Sequence, residues 1–203
     1  MAGHGRKATA TRKRLLDAAL EVMSRKGYTE ATVEEIAQEA GVSKGLAYYH
    51  FKSKSEMATE MLENVIEEFA VSFERIAAES ASAREALDSM LNYLADYLAR
   101  NGRFCRFYFS ELWRDGRVWS DEMRGIENRL IAVISSQIQR GIDSGELRGE
   151  IDAEFAAVAC IGLSLTAAMR YYGMVDEEHP SMEKDVFVDN VVDAVHHMLS
   201  DDA

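Results

Sequence analysis

The sequence predicts an all-α protein in two parts, a small N-terminal three-helix unit and a larger C-terminal helical bundle, with about nine helices in all. Three observations carry this. A single proline in 203 residues leaves few forced turns, which argues against a sandwich or barrel. Met, Ala, Leu and Glu, all good helix formers, are plentiful. Apolar residues recur at spacings of three and four, and no strand-type alternation survives anywhere. Hydrophobic and charged contents of 47% and 29% suit a globular protein and exclude a disordered or collagen-like chain.

The elements follow in order. Leu15, Leu16, Ala19, Val22 and Met23 place a first helix over about Ala10 to Lys26, released at Gly27. Thr32 with Glu35 is a capping box and opens a short second helix that stops before Gly41. Val42 turns inward, and Ser43 caps a third short helix through Tyr49. Ser53 with Glu56 is another capping box. It opens a long fourth helix on which Met57, Met61, Val65, Phe69 and Phe73 step by four.

Further helices span Ser82 to Arg100, Phe104 to Trp113, and Val118 to Ile142, broken at Asn101-Gly102 and Asp115-Gly116. A loop from Asp143 to Gly149 precedes Asp152, which caps an apolar helix from Ala153 to about Tyr172. His179-Pro180 punctuates the chain before a last helix from about Ser181, carrying Val188, Val191, Val192, Val195 and Leu199. The uncharged stretch Phe155 to Met169 falls short of the roughly 20 residues a membrane span needs, and no export segment is expected.

Charge divides the chain into the same two parts. Residues 1–55 hold 10 Lys and Arg against 6 Asp and Glu, a net of +4; residues 56–203 hold 13 against 29, a net of −16. A basic head suits a polyanion and an acidic body does not. The expected domains are therefore 1–55 and 56–203. Cys105 and Cys160 are too few for a disulfide framework and lack metal spacing, which fits a reducing cytoplasm.

The sharpest pattern is residues 32–54. Two short helices joined tightly at Ala40-Gly41-Val42 have the design of a helix-turn-helix, with Ile36 and Ala37 inward and Ala40 small where the helices cross. Gly45 lets a backbone come close to a partner, and Lys44, Lys52 and Lys54 add positive charge. The string Thr32-Val-x-x-Ile36-Ala37-x-x-Ala40-Gly41-Val42-Ser43-x-Gly45-x-x-Tyr48-x-His50-Phe51-x-x-Lys54 resembles the DNA-binding signature of TetR/AcrR-type transcriptional regulators. The resemblance in motif covers about residues 10–60. It departs at Leu46-Ala47, where the family often has Thr-Leu or Ser-Leu.

The resemblance implies an N-terminal DNA-binding domain and a C-terminal domain for effector binding and dimerisation. The implied DNA-contact set is Thr32, Ser43, Lys44, Gly45, Leu46, Tyr48, Tyr49, His50 and Lys54. Arg6-Lys7 and Arg12-Lys13-Arg14 are a basic arm that either reaches DNA or stays solvated. The implied partners are a palindromic double-stranded operator, a second copy of the chain and a small hydrophobic effector, without a membrane or a cofactor; the small residues Ala156, Ala157, Ala159, Gly162, Ala167 and Ala168 and the valines of the last helix point to pairing through the last two helices. Large soft residues of the body are the candidate effector contacts: Phe73, Met90, Tyr93, Tyr97, Phe107, Tyr108, Trp119, Met123 and Met169. The body charge leans toward a cationic or neutral lipophile, whereas Arg103 and Arg106 could receive an acid group.

An enzyme is not expected. The histidines, His4, His50, His179, His196 and His197, have no metal spacing, and no phosphate loop or nucleophile elbow is present. The competing expectation is a constitutive or architectural helix-turn-helix protein that senses nothing, distinguished by whether the body holds a closed apolar pocket.

Overall fold

A computed structural model describes residues 2–112, 121–174 and 181–200. Among them are nine α-helices and no strand: α1 (Ala2–Lys26), α2 (Val33–Glu39), α3 (Lys44–His50), α4 (Lys54–Glu79), α5 (Ala83–Arg100), α6 (Gly102–Leu112), α7 (Asp121–Ser144), α8 (Ala153–Ala168) and α9 (Lys184–Leu199). A π-helical turn, Met169–Gly173, continues α8.

Short polar side chains start most of these helices. Thr32 accepts from the backbone of Glu35 while the Glu35 side chain returns to the Thr32 backbone, a complete capping box. Ser43, Ser82 and Asp152 cap α3, α5 and α8. At α4 the reciprocal arm is displaced by one residue. Ser53 Oγ accepts from Glu56 N at 3.1 Å, but the Glu56 carboxylate takes the Lys52 N–H at 2.7 Å. α1 starts eight residues earlier than its apolar periodicity indicates, because the polar segment before Ala10 also coils.

The described residues divide into two compact units. The first comprises residues 1–65 with the segment starting at Arg106. Its core is Leu15, Ala19, Val22 and Met23 of α1, Ile36 and Ala37 of α2, Ala47 of α3, Phe51, Met57 and Ala58, and Phe107. The second comprises Ile66–Cys105 and the chain from Trp119 onward. In it α5 packs on α7, α8 and α9. Met90, Leu94, Leu98, Ile134, Ile138, Cys160, Phe187, Val191 and Val195 fill that core. The expected boundary at 55/56 falls in the first turn of α4, whereas the compact units divide at Val65 and Ile66, further along that helix.

Inside the second unit, Arg129 of α7 bridges Glu67 and Glu74 of α4 at 2.6 Å each. At Gly102 an added Cβ would lie 2.6 Å from the Tyr172 carbonyl oxygen, so the backbone of the π turn comes close only because no side chain is there. Counting that turn, Ala153–Gly173 is 21 residues, long and apolar enough to cross a membrane, which the shorter count from sequence missed. Its small residues Ala156, Ala157, Cys160, Ser164 and Ala168 are nevertheless buried in a helical core.

Candidate functional site

The turn between α2 and α3 is built by local bonds. Ala40 N and Val42 N donate to Ile36 O and Ala37 O at 2.9 Å each. Gly41 takes φ +64°, a left-handed conformation that costs other residues energy. Ser43 Oγ then accepts from Leu46 N at 3.2 Å, and α3 begins.

The faces of α3 follow from 100° per residue. Ala47 is fully buried, so Gly45 and Tyr49 lie on the opposite, outward side. Tyr49 is 81% exposed, Tyr48 45% and Leu46 39%. The space around Gly45 is open: a Cβ there would meet nothing within 4 Å. Gly45 has no positive φ either, so neither the fold nor the backbone requires glycine.

The cations of this unit differ in availability. Lys44 forms an ion pair with Glu34 and stands 5.8 Å from the Tyr48 ring centroid. Glu34 raises the Lys44 ammonium above its usual range. Both partners are exposed, so the pair is weak and exchangeable. Lys54 is held inward. Its ammonium donates to Tyr28 O, Thr29 O (3.0 Å) and Ala31 O (2.7 Å), 4.3 Å from the Tyr28 ring centroid. Three carbonyls thus match its three N–H donors, an arrangement different from the expected phosphate contact.

Arg12, expected in the basic arm, donates from Nε to Glu60 at 2.7 Å and from Nη1 to His50 O at 2.6 Å, above the Phe51 ring. His50 thus has its carbonyl tied down while its ring stands edge-on to Tyr49 at 5.3 Å. The Thr32 hydroxyl is engaged with Glu35 in its cap. Tyr28, Glu60 and Arg12 act here through partners far away in sequence, which local spacing does not reveal.

In the second unit, a small apolar cavity of about 10 Å³ has room for one water at most. Of the expected effector contacts, Phe73 and Met90 line it. Leu87, Leu91, Leu94, Ile134, Cys160 and Ile161 also do; periodicity marks them as core without showing which gap they border. Tyr93 and Tyr97 instead stand edge-on to Phe69 at 5.8 and 4.9 Å, and burial raises the Tyr97 hydroxyl, keeping it neutral. Met169 is half-buried where the π turn starts. Phe107 and Tyr108 belong to the first unit. Trp119 lies outside the described residues, as does the side chain of Met123. Burial pushes the Cys105 and Cys160 thiols up to about 12, leaving them protonated and unreactive. Among the described residues no cluster of metal-binding side chains occurs.

Two family models match: residues 15–61 fit "Bacterial regulatory proteins, tetR family" and residues 84–174 fit "Tetracyclin repressor-like, C-terminal domain". The chain is 26% identical to the fatty acid metabolism regulator protein of Bacillus subtilis over 148 residues, 73% of this chain and 76% of that one. It is 29% identical to the transcriptional regulator TtgR of Pseudomonas putida over 164 residues, 75% of each. The solved FadR of Bacillus subtilis, in complex with stearoyl-CoA, superposes with a TM-score of 0.77 at 22% identity, covering 90% of this chain and 96% of that one.

Proposed function

Because the chain belongs to the tetR family of bacterial regulatory proteins, we propose that it is a homodimeric repressor that binds a palindromic operator and is released by a bulky, largely apolar effector. The outward face of α3 carries this reading: Gly45, Leu46, Tyr48 and Tyr49 are exposed beside Lys44 on a helix held rigidly by its cap and turn. Tyr49 and Leu46 face base edges, whereas Thr32, Ser43, Lys44, Tyr48 and His50 meet the phosphate backbone. The work is done in the cytoplasm, where the DNA is.

A glycine that the fold does not need is explained by something that must come close from outside. Gly45→Ala is expected to stabilise the chain by up to about 1 kcal/mol, because alanine is the better helix former. It is expected to weaken operator binding roughly tenfold, the scale of one lost charge-assisted hydrogen bond. Thermal melting together with operator titration checks this; unchanged affinity opposes it.

One α3 covers too little DNA for tight specific binding, so pairing is needed. Phe155 (72% exposed), Val158, Gly162 and Leu163 form an outward stripe on α8, and α9 adds Val186, which supports pairing through these helices. Contiguous exposed apolar side chains of this kind mark interaction sites. Light scattering at micromolar concentration tests it, and a monomer overturns it.

The proposed signal passes along α4, one unbroken helix with residues in both units. Effector and operator should oppose each other by about 1–3 kcal/mol, reciprocally. Stearoyl-CoA is the defined probe, because the similar FadR of Bacillus subtilis was solved in complex with it. Any molecule that native mass spectrometry finds on the purified chain is tested beside it. Asn64→Gly, at an exposed position within α4, softens the rod and is expected to reduce that coupling while each ligand still binds alone. The second reading is a constitutive DNA-binding protein without an effector. Equal operator affinity with and without a molecule shown to be bound would favour it and reject induction.

A further inference from the structure

Leu46 follows Gly45 in α3 and lies at the edge of its outer face, 39% exposed. Its backbone N–H is taken by the Ser43 cap, and its side chain carries no polar atom. It therefore makes no hydrogen bond to a phosphate or a base edge. An isolated exposed leucine is ordinary. This one flanks the exposed Tyr49, about 60° from it around the helix, at the edge of the face assigned above to DNA, with open space around Gly45 on the far side of Tyr49. With no side chain at 45, the backbone can come close to a groove floor, which brings a short branched side chain within van der Waals reach of the base edges. The major groove offers an aliphatic chain one apolar group, the 5-methyl of thymine.

Resting on the DNA-binding reading, we propose that Leu46 selects a thymine in each operator half-site by packing on that methyl group. Lys44 and the two tyrosines carry polar ends that serve phosphates and base acceptors; Leu46 supplies the methyl reading that they do not. The chemistry predicts discrimination against cytosine at that position and also against uracil, which differs from thymine there only in the methyl.

The test uses the full-length protein and a duplex enriched by it from a pool of random DNA. Each thymine of that duplex is replaced in turn by deoxyuridine, and affinity is measured for the native chain and for Leu46→Ala. One position in each half-site is expected to lose about fourfold with the native chain, the value of one buried methyl. The same replacement is expected to change nothing for Leu46→Ala, whose melting curve confirms that it folds. If every thymine tolerates deoxyuridine, or if the penalty persists in Leu46→Ala, the assignment is overturned while DNA binding stands. If no duplex is enriched, the DNA-binding reading falls and this assignment with it.

Discussion

Phe73→Ala is expected to lower the melting temperature of the second unit by about 6–20 °C. Phe73 is 1% exposed on α4, 6.1 Å from the Phe69 ring and 6.3 Å from that of Tyr93. It also forms part of the wall of the cavity of about 10 Å³. Truncation would merge the volume of the ring with that cavity, and neighbours on four helices cannot all collapse to refill it. Large-to-small changes of this kind cost about 3–5 kcal/mol, and each kcal/mol moves the midpoint by about 2–4 °C at this chain length. Calorimetry reads the result, with the two units allowed separate transitions. A small apolar probe such as benzene should then bind the enlarged cavity and recover part of the loss by mass action. A fall below about 2 °C would mean that the packing around Phe73 relaxes freely.

Lys54→Met is expected to lower stability by about 2 kcal/mol, the scale of removing hydrogen bonds from a charged donor. Methionine keeps most of the side-chain length, so what is lost is the ammonium. The carbonyls of Tyr28, Thr29 and Ala31 then lose their common donor, and the segment leading into the Thr32 cap loses its anchor. The salt dependence of operator binding separates this clamp from a phosphate contact. Removing a phosphate contact would reduce the slope of log affinity against log salt by about 0.9. The clamp predicts an unchanged slope with a lower melting temperature. Lys54→Arg should not rescue, because a planar fork does not replace a point donor at which three carbonyls converge. A reduced slope with unchanged melting would return Lys54 to the DNA.

The helices and their caps were legible in the chain because they are local. Thr32 with Glu35, Ser43 with Leu46, Ser82 with Glu85 and Asp152 with Phe155 each satisfy a backbone N–H three residues on. Gly41 at the turn and the outward placement of Tyr49 follow from the same short-range rules. The spacing of these residues also carried the resemblance to the family. What only the tertiary structure decided involves partners distant in sequence. Lys54 turns inward because Ala31, 23 residues earlier, presents a carbonyl to it, and Arg12 is anchored by Glu60, 48 residues later. A basic side chain reads the same from sequence whether carbonyls or a phosphate will receive it. Likewise an aromatic at helical spacing is apolar wherever it lands: Phe73 borders the cavity, Phe107 fills the core of the other unit, and Tyr97 stacks on Phe69. Periodicity gives the buried side of a helix but not its neighbour, because the packing of one helix on another is set by contacts that the local chain does not contain.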